Sequence, residues 1–399
     1  MKLLPAFVFC CILIQTLPAC AKNPVLVEVG VVKSGAERMD QYVGLLKNKQ
    51  VGLVVNQASQ VGNRHLVDTL SALGITIKRI FTPEHGFRGT ADAGSLIEAE
   101  QAAHDHYELV SLYGKKKKPE ASDLKDLDVV VFDLQDVGVR FYTYISTLSN
   151  VMEACAENGV PLIVLDRPNP NGFYIDGPVL EPGFESFVGL HPVPVVYGLT
   201  IGEYGQMVNG EGWLRNKVHC DYSVVPLAGY ERNMISKLAV KPSPNLPDWK
   251  SVFLYPTLCF FEGTIMSVGR GTDIPFQVFG HPDYMVGSYV FKPRSISGAS
   301  QNPPFKDMVC YGQNLSGLSD TFTEEHKRIN LFWLLTTYKL MSPDHSFFNS
   351  YFNTLAGNAS LRSLIESGKS EDEIRASWKP GIERYKKIRI KYLLYPDFE

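Results

Sequence analysis

Val129-Val130-Val131-Phe132-Asp133 and Leu162-Ile163-Val164-Leu165-Asp166 decide the fold. Each is an unbroken apolar run closed by an aspartate. Because neither run alternates with polar residues, each reads as a strand covered on both faces, as in a parallel sheet between helical layers; the first strand is expected over 129–134. Between them, Tyr142 to Glu157 repeats its apolar residues at helical spacing, and Asn158-Gly159 supplies the stop. Strand, helix and strand in that order make a βαβ unit.

Working outward, the same alternation continues towards the N-terminus. A helix is expected over Ala36 to Lys49, a strand over Val51 to Val55, a helix over Arg64 to Leu73 ended by Gly74, and strands over Ile75 to Phe81 and Leu109 to Leu112. The fold class is therefore α/β, with a Rossmann-like parallel sheet over 34–226. From Leu227 the pattern changes to a proline-rich segment around Pro242-Ser243-Pro244-Asn245-Leu246-Pro247, irregular strands, and helices over Glu324 to Leu340, Ser360 to Ser367 and Glu371 to Trp378. Residues 227–399 are expected to form a smaller α+β domain that completes a cleft.

With 399 residues, 45% hydrophobic and 20% charged, the chain can bury a large core, which excludes disorder. The 39 Lys and Arg against 42 Asp and Glu leave a net charge of −3, so no basic field favours nucleic acid. Neither G-x-G-x-x-G nor G-x-x-x-x-G-K-[ST] occurs, and no cofactor is expected.

Met1-Lys2 leads into an apolar run from Leu3 to Leu17, closed by Leu17-Pro18-Ala19-Cys20. The run is shorter than the ~20 apolar residues a bilayer span needs, and reads as a signal peptide over 1–19. A cysteine directly after the cleavage position reads as a lipobox. Cys20 is then the acylated first residue, 20–33 a tether, and the address the cell envelope, lipid-anchored on the periplasmic side of the outer membrane. Cys10 and Cys11 leave with the signal; Cys155, Cys220, Cys259 and Cys310 remain, each beside apolar residues, as buried thiols.

In an open α/β sheet, ligands bind beyond the carboxyl ends of the strands. The residues found there are unusually polar: Thr82-Pro83-Glu84-His85-Gly86-Phe87-Arg88-Gly89, then Asp133-Leu134-Gln135-Asp136-Val137-Gly138-Val139-Arg140-Phe141-Tyr142, then Asp166-Arg167-Pro168-Asn169-Pro170. Three strand ends thus bring carboxylates, arginines and amides to one crevice. The second domain adds Tyr255-Pro256-Thr257, Phe261-Glu262-Gly263-Thr264 and Ser267-Val268-Gly269-Arg270-Gly271-Thr272-Asp273. Carboxylates without a cofactor point to glycosidic hydrolysis, where one acid protonates the leaving oxygen and another group stabilises the anomeric centre. Histidines 85, 104, 106, 191 and 281 are present without an H-E-x-x-H, and Ser267 lacks the glycine a nucleophile elbow needs, so no metal is expected and esterase chemistry is disfavoured.

These segments, from Ala36 to Tyr395-Pro396, resemble the YbbC-like family, whose characterised members are exo-β-N-acetylmuramidases of the NamZ type. The resemblance implies a Rossmann-like domain with a smaller partner, and release of N-acetylmuramic acid from the non-reducing end of peptidoglycan fragments. A non-catalytic peptidoglycan-sugar binding lipoprotein is the rival expectation. Glu84 follows a strand, is flanked by His85, and matches the family's proposed catalytic glutamate, so it is the expected general acid. The second group is open between Glu262, acting as nucleophile or as base for water, and the substrate's acetamido oxygen oriented by Asp133 or Asp136. Substrate contacts are expected from His85, Arg140, Tyr142, Asp166, Arg167, Asn169, Asn245, Ser267, Arg270 and Thr272. Arg270, then Arg140, is the expected clamp for the lactyl carboxylate. Arg167 has a scaffold alternative, pairing with Asp166 or Asp133, and Arg270 has one with Asp273.

Overall fold

In the computed structural model, six parallel strands, β1 (Gln50–Val55), β2 (Thr76–Thr82), β3 (Glu108–Ser111), β4 (Val129–Asp133), β5 (Leu162–Leu165) and β6 (Tyr222–Val225), lie in the order β3-β2-β1-β4-β5-β6. The structure describes residues 32–83, 86, 107–318 and 327–398. The direction of strand addition reverses between β1 and β4, which opens the crevice of a doubly wound sheet at their carboxyl ends.

The two apolar runs are continuous because the sheet has a core on each face. Val129, Val131 and Ile163 join Leu53, Leu66 and Leu70 in the apolar cluster on one face, whereas Val130, Phe132 and Val164 join Leu148, Val151 and Met152 of the helix between β4 and β5 in the cluster on the other. Each such side chain contributes about 1.5–3 kcal/mol by leaving water. Helix α1 (Met39–Leu46), preceded by a 3-10 turn over Gly35–Glu37, and helix α2 (Leu66–Ala72) cover the first face. Helix α3 (Tyr144–Asn158) covers the second and stops at Gly159, whose φ of 66° is left-handed. Arg64–His65 pairs with Gln60–Val61 in a small ribbon, so α2 begins later than the apolar spacing suggests.

A helix and the last strand are among the elements of this layer that escape the pattern. Helix α4 (Ile201–Gly210) contains Gly202, Gly205 and Gly210 and has low intrinsic propensity, yet Thr200 and Glu203 form a capping box at its start. A Cβ on Gly202 would lie 2.8 Å from Asp166 Cγ, so close packing demands the glycine. Strand β6 ends the sheet, and its mixed exposure hides its period.

Beyond the sheet, helix α5 (Trp249–Leu258) is capped by Asp248 and runs through Pro256 into a 3-10 turn, Cys259–Gly263. Tyr255-Pro256-Thr257 is thus the end of a helix. Strands β7 (Val278–His281), β8 (Tyr289–Phe291) and β9 (Cys310–Asn314) form an antiparallel sheet in the order β8-β9-β7. Helices α6 (Phe332–Met341), α7 (Tyr351–Ala356), α8 (Ser360–Glu366) and α9 (Glu371–Arg389) complete the fold. The expected helix from Glu324 starts only at Phe332, because Ile329 and Asn330 turn their amides to Asp176 and Thr257; residues 324–326 lie outside the described residues. Helix α9 passes Trp378 and Pro380, since Tyr385 and Arg389 are buried against the first layer: Tyr385 donates to Tyr197 O at 2.6 Å and Arg389 to Gly198 O at 2.9 Å. Beyond it, Tyr395 donates to Asp166 Oδ2 at 2.6 Å. The segment that follows α9 is thereby tied back to the first sheet.

Candidate active site

Residues at the strand ends divide into a buried scaffold and a cavity. Asp133, the last residue of β4, is fully buried and takes Arg167 in a bidentate pair, Nε to Oδ1 at 2.5 Å and Nη2 to Oδ2 at 2.8 Å. Ser59 holds the Asp133 carbonyl, and Arg167 reaches Gln60 O at 3.2 Å. The pair locks β4, β5 and the ribbon together. Asp166 accepts from Arg167 N, Gly202 N, Thr200 Oγ1 and Tyr395 OH at 2.6–3.0 Å. Burial pushes its pKa up to about 6, with the Tyr395 bond opposing and Glu203 reinforcing the shift. Asn169 donates to Leu199 O at 2.7 Å and accepts from Asn171 N at 2.8 Å. Its amide lies where a Cβ on Gly138, φ 75°, would approach Oδ1 to 1.9 Å. That glycine is required both by its conformation and by its neighbour.

Asp136 is buried in the loop after β4, accepting from Gly138 N at 2.7 Å and from Tyr197 OH through Oδ2. Burial pushes its pKa up to about 6 against the pull of those bonds.

Arg140 lies apart from the cavity lining. It is fully buried and donates to Pro178 O, Val193 O, Leu355 O and Ala356 O at 2.7–2.9 Å. Burial lowers its pKa to about 9, and among the described residues no carboxylate pairs with it. Its donors bind the last carbonyls of α7, so it is a latch between lobes and presents no fork to a ligand. Ser267 is also fully buried, accepting from Gly269 N at 3.2 Å, and Thr272 closes its own turn by donating to Gly269 O at 2.6 Å. Both shape the Gly269-Arg270-Gly271 turn.

Four expected residues do come together. Tyr142, Asn245, Glu262 and Arg270 line a cavity of about 180 Å³ with Tyr144 and Tyr255. Glu262 Oε1 accepts from Arg270 Nε at 2.5 Å, and the guanidinium lies 5.0 Å above the Phe276 ring. Cys259 directs its thiol at Glu262 Oε2, 3.7 Å away; burial and then the Glu262 charge raise its pKa well above the usual thiol value, so it stays a donor. Asn245 donates to Ala299 O at 2.9 Å. The tyrosines form an aromatic wall, with Tyr142 edge-on to Tyr144 and Tyr255 at 4.7 and 6.2 Å. Such a wall with a few polar groups suits a sugar ring.

Asn56 and Gln57 were not anticipated. Asn56 donates to Tyr144 OH at 2.9 Å, while Gln57 and Tyr142 both donate to Pro242 O, at 3.2 and 2.7 Å. They fix the cavity wall to the end of β1. Their signal was available, since they directly follow Val51–Val55 at the reversal of strand order. Glu84 and His85, and His104 and His106, lie outside the described residues. His191 packs on Trp213 and contacts Ser149 Oγ at 3.0 Å; burial lowers its pKa to about 4. Among the described residues no group of three or more His, Cys, Asp or Glu is placed to hold a metal. The four described cysteines are buried and free.

A Rossmann-like layer whose carboxyl edge meets an antiparallel lobe at a tyrosine-walled cavity defines a two-lobed α/β protein for a small polar ligand. The chain belongs to the exo-β-N-acetylmuramidase NamZ family: the model for the family's N-terminal part matches residues 51–250 and that for its C-terminal part residues 253–395. It is 37% identical over 385 residues to the peptidoglycan β-N-acetylmuramidase NamZ of Bacillus subtilis (strain 168), covering 91% of each chain. Two crystal structures of DUF1343 family proteins from Bacteroides fragilis NCTC 9343 are similar. One has a TM-score of 0.84 at 44% identity, covering 92% of this chain and 99% of that one. The other has a TM-score of 0.72 at 29% identity, with the same coverage.

Proposed function

We infer that the protein is an exo-acting glycosidase that releases N-acetylmuramic acid from the non-reducing end of peptidoglycan fragments. The observation that carries this reading is the cavity itself, an aromatic wall for a sugar ring facing an arginine for its carboxylate, in a chain of this family. A chromogenic β-N-acetylmuramide tests it: purified protein releases the chromophore, and sugar binding without release would indicate a binding protein instead.

In the proposed mechanism Glu84 is the general acid. Among the described residues the cavity has one carboxylate, Glu262, and it is tied to Arg270. Asp133 and Asp136 are both held in the scaffold. With Glu262 tied to Arg270, the acetamido group of the substrate, its N–H oriented by neither Asp133 nor Asp136, attacks C1 through its oxygen as the C1–O bond breaks and the Glu84 proton passes to the leaving oxygen. Water then opens the oxazolinium ring, returning its proton to Glu84, and configuration is retained. Retention by NMR, together with inhibition by the thiazoline analogue of N-acetylmuramic acid, supports this route; inversion excludes it.

We further propose an envelope location, with acylated Cys20 holding the enzyme on the periplasmic side of the outer membrane, supported by the apolar run from Leu3 to Leu17. Radiolabelled palmitate incorporated in the wild type and lost in Cys20→Ala, with release of the variant into the soluble fraction, tests it.

A further inference from the structure

Glu262 is the single described carboxylate in the cavity, which makes it the obvious second catalytic group, yet its surroundings suit another task. Arg270 Nε occupies Oε1, and the Cys259 thiol, kept protonated by burial, faces Oε2. The turn that carries Glu262 is also fixed: Asn349 Nδ2 donates to the carbonyls of Glu262 and Thr264, both at 3.2 Å, and a Cβ on Gly263 would lie 2.4 Å from Phe352 Cα. A nucleophile or water-activating base needs an oxygen free to meet the reacting atom. Here both oxygens have donors.

Arg270 shows the complementary arrangement. Its Nε edge is taken by Glu262 and one face of the guanidinium lies against Phe276, which is itself held edge-on by Tyr255 at 4.9 Å. Among the described residues Glu262 is its one ion-pair partner, and the pair on the far side of the turn is separate, Arg294 to Asp273 at 2.7 Å. A guanidinium gripped by Nε and one face keeps its Nη pair as a two-pronged edge, matched to a carboxylate.

We propose that Glu262 is a positioning residue, acting through Arg270 to select sugars that carry a carboxylate on the ring substituent, and that Cys259 and Asn349 fix it for that purpose. This rests on the glycosidase reading above and assigns the specificity of that same cavity. Glu262 exchanges no proton and forms no bond with C1.

The test compares Glu262→Ala, Glu262→Gln and Arg270→Ala with the wild type on two substrates, a β-muramoside and the same glycoside with its lactyl carboxylate reduced to the alcohol. Glutamine keeps an oxygen for Arg270 Nε; alanine does not. Glu262→Ala and Arg270→Ala are expected to lower kcat/KM on the muramoside about 10–100-fold, chiefly through KM, and to bring the preference between the two substrates close to 1. Glu262→Gln should recover most of that preference. A loss in kcat on both substrates, as large in Glu262→Gln as in Glu262→Ala, or restoration of Glu262→Ala by azide, would show a nucleophile or base and overturn the proposal. Calorimetric binding of free N-acetylmuramic acid and of N-acetylglucosamine separates this from the glycosidase reading. If the wild type prefers the acid and both alanine variants lose the preference, the positioning role stands even where no glycoside is cleaved; equal affinity for the two sugars in the wild type refutes it.

Discussion

Arg167 and Asp133 close a two-pronged ion pair across the ends of β5 and β4, with both carboxylate oxygens engaged and neither residue more than 8% exposed. Removing one partner of such a pair leaves a buried charge, which costs about 3–5 kcal/mol, whereas removing both costs less. Arg167→Met is therefore expected to destabilise the protein by about that amount in urea unfolding, and Asp133→Asn added to it to restore part of the loss. An additive double variant would show that the two residues do not act as a pair.

Arg140 predicts a different outcome. Four carbonyls depend on its guanidinium, two of them in the last turn of α7, which supplies Tyr351 and Leu355 to the cavity. Arg140→Leu should cost about 3 kcal/mol or more through stranded acceptors, and Arg140→Lys should not rescue it, because a single ammonium lacks the planar fork. Denaturant midpoints of the two variants check this; a stable Arg140→Leu protein with altered sugar affinity would instead place Arg140 at the ligand.

What could be read from the sequence follows from the distance over which each feature is determined. Strands β4 and β5 are legible because two-sided burial forces every residue to be apolar. Strand β6 is not, since Tyr222-Ser223-Val224-Val225 is only partly buried at the sheet edge. Helix α4 is hidden by glycines whose reason lies in Asp166 and Tyr222, far along the chain. The polar strand ends were recognisable as a group, but their division into scaffold and cavity was not: the fate of Arg140 is set by carbonyls 215 and 216 residues away. Arg270 was recognisable as a motif arginine, while its choice of Glu262 over Asp273 depends on how the turns pack.

Asp136 gives the pH prediction. Burial raises its folded pKa to about 6, above the ordinary aspartate value of 3.8, so between these values the folded state holds more protons than the unfolded state. Its contribution is present in full below about pH 4 and is lost as the pH rises through about 6. Between pH 4 and pH 7.5, Asp136→Asn should therefore gain about 2–3 kcal/mol relative to the wild type. Unfolding curves at the two values test this; a pH-independent difference would mean that the carboxyl does not titrate in that range.

Glu84→Gln should remove leaving-group protonation, lowering turnover on an unactivated disaccharide by ~10² to 10⁴. A substrate with an activated aryl leaving group should lose much less, since it departs with little protonation. Equal losses on both would argue against an acid role.

The most direct measurement of the central claim is a time course of purified protein acting on a glycan with N-acetylmuramic acid at its non-reducing end, followed by mass spectrometry. Free N-acetylmuramic acid is expected as the sole first product, with the remaining glycan shortened by one sugar and no release when N-acetylglucosamine occupies that end. Internal fragments appearing first, or an intact glycan after prolonged incubation with folded protein, would contradict it.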